Sequence, residues 1–138
     1  MLILTSGQTS EIFSHASASD PHECCGLVGG SNDGRVMNVY PLQNVAPVPL
    51  NSYEAAPDEL FTAQRLMRER GEQLLAIYHS HPRSADPLPS DTDVRLAYYP
   101  AAIYLIVGLA GDEPVMRAFH LSENKHSWEE VEYGITDE

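Results

Sequence analysis

The chain has 138 residues, 43% hydrophobic and 20% charged, which fits one soluble globular domain with its own core and excludes a disordered or fibrous chain. Its 20 acids against 8 Lys and Arg give a formal charge of −12, and a surface of that sign repels phosphate backbones and argues against non-specific nucleic-acid binding. It suits a partner with a basic face; a salt-adapted host would explain it equally, and Lys125 is the only lysine.

Met1–Leu4 is too short for the apolar region of a signal peptide, and no positive residue precedes it. Leu2–Leu4 predicts a short first strand. A helix follows, capped near Thr5 or Ser6, with Ile12, Phe13 and Ala16 on one face, and Asp20-Pro21 ends it. Cys24–Gly29 predicts a buried strand closed by Gly29-Gly30 and the turn Asn32-Asp33-Gly34, with Arg35–Tyr40 as its hairpin partner. Cys24 and Cys25 are the only cysteines. Adjacent on a strand, they face opposite sides, so they form no disulfide framework and fit a reducing, cytoplasmic setting as small buried hydrophobes. Gln43–Tyr53, rich in Pro and Asn, reads as a loop. Pro57 opens a second helix carrying Leu60, Phe61, Ala63, Leu66 and Met67, with Arg65, Arg68 and Arg70 as a solvated face, and it stops at Gly71. Leu74–Tyr78 predicts a strand that delivers the chain to His79-Ser80-His81-Pro82. Three prolines make Pro82–Pro89 a loop, and Ser90 caps a helix running to Tyr99 before Pro100. Ile103–Leu109 and Val115–Leu121 predict two more strands. The apolar run Ala101–Ala110 is too short to span a bilayer. The acidic tail from about Glu129 is expected to be loose. Strands alternating with helices predict an α/β fold, one domain over residues 1–138 with a central sheet.

The chemistry concentrates in His79-Ser80-His81-Pro82 followed by Ser90-Asp91-Thr92-Asp93. Residues two apart on an extended chain project to the same side, so the two imidazoles can share one metal. Catalytic zinc takes three protein ligands and keeps a fourth place for water; Asp93, on the first turn of the next helix, can supply the third. Taken alone the pair is weak, because six histidines produce one His-x-His by chance roughly a quarter of the time. Ser90 and Asp93 also match a capping box with no metal at all. Both readings stand on the residues alone. Glu23 reads either as a solvated loop acid or as a functional carboxylate at the start of a buried strand.

His-Ser-His-Pro, a short proline-bearing loop and Ser-x-x-Asp resemble the JAMM (MPN-plus) signature of the JAB/MPN domain family. Pro21-His22-Glu23-Cys24-Cys25-Gly26-Leu27-Val28-Gly29 resembles that family's glutamate-bearing strand in its small free-standing prokaryotic form. The likeness covers Met1 to about Leu121. It departs at one place: eight residues separate His81 from Ser90, one more than the usual gap, an insertion that a surface loop absorbs.

The resemblance implies a single domain with a central mixed β-sheet flanked by helices, of JAB/MPN (cytidine deaminase-like) architecture. It implies one Zn2+ per chain held by His79, His81 and Asp93. Glu23 would be the general base and then acid, its pKa raised by apolar neighbours, and Ser90 would donate to the oxyanion. That last role competes with Ser90 as a helix cap. The substrate implied is a ubiquitin-like or sulfur-carrier protein with a Gly-Gly tail, cleaved after its glycines as a peptide or isopeptide; an extended tail of that kind can add to a sheet edge. The alternative is a non-catalytic MPN-type binding scaffold. A zinc deaminase is disfavoured because its His-x-Glu and Pro-Cys-x-x-Cys signature is absent. A cysteine hydrolase built on Cys24 or Cys25 is a further competitor. His15, His120 and His126 show no ligand spacing, His22 reads as a surface neighbour able to reach the cleft, and Trp128 and Tyr133 read as core or partner-contacting residues.

Overall fold

The computed structural model describes every residue except Leu96, Glu123, Lys125 and Glu138. Strand β1 (Leu2–Thr5) runs into helix α1 (Ser6–Ser19). Thr5 caps that helix: its hydroxyl accepts the Gln8 N–H at 3.0 Å and its own N–H donates to the Gln8 side chain at 2.8 Å, a reciprocal capping box. The hairpin β2 (Cys25–Gly30) and β3 (Val36–Leu42) follows, then α2 (Pro57–Glu69) with Pro57 in its first turn. Gly71, at φ +70°, lets Glu72 N–H reach back to the Met67 carbonyl at 2.8 Å and closes α2. The chain continues through β4 (Gln73–His81), α3 (Asp91–Arg95), β5 (Ile103–Gly108), β6 (Val115–Ser122), β7 (Ser127–Val131) and β8 (Tyr133–Thr136).

Six strands form one sheet in the order β3-β2-β4-β5-β6-β7. Only β4 and β5 are parallel, so the sheet is mixed, and β1 pairs with β8 in a small parallel ribbon beside it. Alternation along the strands sorts the core into two clusters. One holds Cys24, Val28, Tyr78 and Leu105 with Ile12 and Ala16 of α1; the other holds Cys25, Leu27, Ile77 and Ile106 with Ala63 and Met67 of α2 and Val94 of α3. Every residue of β2 is buried, because both faces of this strand are covered. Gly26 is needed there: a Cβ at that position would stand 2.2 Å from the Tyr78 ring. No helix among the described residues is long and apolar enough to cross a membrane.

Two expectations are corrected. The helix after Ser90 ends at Arg95 and does not reach Tyr99; Leu96 lies outside the described residues, and Ala97–Tyr99 is not helical. The tail is not loose from Glu129: that residue lies in β7, and Tyr133–Thr136 pairs with the first strand. Both strands escape sequence patterning, because β7 is an exposed, acidic edge strand and β8 finds its partner at the far end of the chain. Arg70 is exposed as expected, and its guanidinium also donates to the Tyr40 hydroxyl at 3.0 Å.

Candidate functional site

Strand β4 carries both histidines, because its C-terminal end runs three residues past the Tyr78 that the pattern predicted. His79 pairs with Cys25 on β2 and with Ile106 on β5, both members of the cluster under α2, so its ring leaves the sheet on that face. His81, two places on, points the same way. Continuing the antiparallel register by two places sets Glu23 opposite His81. Ser80 faces away and accepts the Cys24 N–H at 2.8 Å.

Asp93 arrives from α3. Its Oδ1 lies 3.1 Å from His79 Nε2, its Oδ2 lies 3.1 Å from His81 Nε2, and the two ring nitrogens are 3.2 Å apart. Ligands about 2.0–2.1 Å from a tetrahedral zinc stand roughly 3.3 Å from one another. The three separations therefore fit a single such ion with an open fourth position. Glu23 stands further back: an oxygen of its carboxylate and a ring nitrogen of each histidine lie within 4.8 Å of one another. That spacing leaves room for a water between the carboxylate and the centre.

The charges agree with a cation here. Burial pulls the His79 pKa down, but Asp93 and then Glu23 outweigh it and the net direction is up. Burial raises Asp93, and the two histidines with the Ser90 amide overcome it, so the carboxylate is held well below its usual range. Each partner demands a counter-charge that a proton or a metal ion supplies. Glu23 is 7% exposed and its pKa is raised, first by burial, with the histidines pulling it back.

Ser90 and Asp93 do form the capping box: Asp93 N–H donates to Ser90 Oγ at 3.0 Å and Ser90 N–H donates to Asp93 Oδ2 at 2.9 Å. The metal reading and the capping reading are thus compatible, because each carboxylate oxygen has more than one lone pair. Nor does capping exhaust Ser90, whose hydroxyl accepts in the cap and keeps its hydrogen for another acceptor. Ser90, Glu23, His81, Arg83, Leu50 and Asn51 line an open cleft of about 300 Å³. A larger hollow, about 460 Å³ beside Trp128 and Arg95, contains none of the predicted site residues.

Sequence reasoning reads Gln43–Tyr53, between β3 and α2, as a loop but gives it no part in the site. Glu23 lies before β2, and that loop holds its backbone: Glu23 N–H donates to Pro49 O at 2.8 Å, and Glu23 O accepts from Asn44 Nδ2 at 2.9 Å. Asn44 also donates to Ser52 O and accepts from Ala46 and Glu54 N–H, so its carboxamide is fully used. The available signal was length, since a long loop in a small domain calls for a function.

Cys24 and Cys25 are 1% exposed and unpaired with each other. Burial pushes their thiols up to about 11 and about 12. Nucleophilic chemistry needs the thiolate, so neither is fit for it. In the native protein both should resist iodoacetamide at neutral pH and react once denatured; rapid native alkylation with loss of activity would revive the cysteine-hydrolase reading.

A family model described as prokaryotic homologs of the JAB domain matches residues 5–122. A desampylase from Haloferax volcanii is 38% identical over 110 residues, 76% of this chain and 78% of that protein. A probable TtuB-protein conjugate cleaving protease from Thermus thermophilus is 38% identical over 125 residues, 91% of this chain and 79% of its own. The solution structure of a Desulfitobacterium hafniense protein superposes with a TM-score of 0.88 at 37% identity, covering 100% of this chain and 94% of that one.

Proposed function

The chain belongs to the prokaryotic branch of the JAB domain family, and from that premise we propose that it is a zinc-dependent peptidase of the JAMM type. Its substrate would be a ubiquitin-like or sulfur-carrier protein with a Gly-Gly tail, hydrolysed at the amide bond after the glycines. The observation that carries the reading is the meeting of His79, His81 and Asp93 at 3.1–3.2 Å beside the buried carboxylate of Glu23. Two relatives are named as a desampylase and as a protease of TtuB–protein conjugates, which supports a hydrolase acting on protein conjugates.

His79, His81 and Asp93 would hold the zinc, which when bound polarises a carbonyl and lowers the pKa of water towards ~7. Glu23 takes the proton from the attacking water and returns it to the leaving nitrogen. Its partly desolvated surroundings make it a stronger base than a solvated carboxylate. Ser90, with its hydroxyl hydrogen not spent on the cap, donates to the carbonyl oxygen as charge develops there. The acidic surface attracts a carrier with a basic face. Two buried free thiols on opposite faces of the sheet suit the reducing cytoplasm as the place of action.

The test is a carrier protein extended beyond its Gly-Gly by a fused segment or an isopeptide-linked lysine, followed by mass spectrometry. Cleavage after the second glycine, stopped by a zinc chelator and restored by added zinc, is the expected result. An intact substrate with zinc-loaded protein, across several such carriers, would leave a binding scaffold as the better account.

A further inference from the structure

A histidine that ligates a metal ordinarily donates its other ring N–H to a carboxylate, a carbonyl or water, and that bond fixes the plane of the ring. His79 receives this support from no protein group among the described residues. It is fully buried, and its Nδ1 is the buried side-chain polar atom that finds no hydrogen-bond partner among the described residues. What lies against the ring instead is Tyr53, stacked with centroids 4.6 Å apart and planes 26° from parallel. The orientation matters because the terminal torsion of histidine is soft and broad. A turn about it that tips the ring out of the stacked plane swings Nε2 away from His81 and Asp93, and the centre would lose a donor.

Tyr53 is itself held in place. The residues on either side of it are tied to one side chain: Ser52 O accepts from Asn44 Nδ2 at 3.0 Å, and Glu54 N–H donates to Asn44 Oδ1 at 3.0 Å. The same Asn44 Nδ2 donates to Glu23 O. One carboxamide thus sets the backbone on both sides of Tyr53 and the backbone of the carboxylate that faces the centre.

We propose that Tyr53 is the positioning residue of His79, its ring face replacing the missing hydrogen bond in holding Nε2 toward the other ligands. This rests on the zinc reading above. The experiment measures zinc dissociation constants by competition with a chromophoric chelator for wild type, Tyr53→Phe, Tyr53→Leu and Tyr53→Ala, with the thermal melt of each metal-free protein beside it. Tyr53→Phe keeps the ring and should bind zinc as wild type does. Tyr53→Leu fills the space without a flat face and should weaken binding about 10- to 100-fold, the range of other supporting-residue changes, with the metal-free melt close to that of Tyr53→Phe. Zinc binding by Tyr53→Leu as tight as wild type would overturn the proposal and leave the zinc site standing. Loss of affinity in Tyr53→Phe equal to that in Tyr53→Leu would also overturn it, by moving the role from the ring to the hydroxyl. A wild-type protein that takes up no zinc would sink the zinc reading, and this inference with it. Should Tyr53→Ala fail to fold, the Phe and Leu pair still decides.

Discussion

Glu23→Gln is expected to lower kcat about 10²- to 10⁴-fold, the usual worth of a positioned general base, while the protein keeps its zinc. The substitution is close to isosteric, and both backbone groups of residue 23 are held by the loop between β3 and α2 whatever the side chain is. Glu23 also stands outside the 3.1–3.2 Å contacts that join the two histidines and Asp93. The variant should therefore bind zinc and substrate and stall at proton transfer. Single-turnover kinetics with zinc content measured on the same sample would separate these steps. Wild-type turnover in this variant would remove Glu23 from the chemistry, and loss of zinc would move it among the ligands.

The second large effect is expected at the ligands. Wild type should carry about one zinc per chain by elemental analysis, and His81→Ala and Asp93→Ala should carry essentially none. A direct ligand must cost more than the roughly 10²-fold upper range for a supporting residue. Asp93→Ala also removes half of the capping box of α3, the bond from Ser90 N–H to Oδ2, worth about 0.5–1.5 kcal/mol, so a folding defect could imitate loss of a ligand. Asp93→Asn separates the two effects. Its carbonyl oxygen can still accept from Ser90 N–H, but it offers the metal no negative charge. Weakened zinc binding in Asp93→Asn at an unchanged melting temperature would assign Asp93 to the metal. Full zinc in both Asp93 variants would leave only the cap.

The fold was legible where burial imposes a period. Strands β2 to β6 of the central sheet, the cap at Thr5, the start of α2 at Pro57 and the stop at Gly71 all follow from local chemistry that the sequence displays. The closeness of His79, His81 and Asp93 was legible because a two-residue spacing and a capped helix start are local features too. What stayed hidden is non-local. The pairing of β8 with β1 joins opposite ends of the chain, and nothing in Tyr133–Thr136 names its partner. The stacking of Tyr53 on His79 and the four bonds of Asn44 depend on how a loop without periodicity folds back over the site. A single Asn or Tyr in such a loop carries no mark of its contacts.

The small ribbon of β1 and β8 has a mechanical consequence. The two strands run in the same direction, with Leu2 beside Tyr133 and Thr5 beside Thr136. Tension applied at residue 2 and residue 136 in opposite directions runs along the strands, so it slides them past each other. The rungs of the ladder then share the load and must give way together, where an antiparallel ribbon pulled from adjacent ends would unzip one rung at a time. A cellular machine that grips the chain by one end meets a clasp loaded in shear before it reaches the sheet that carries the histidines.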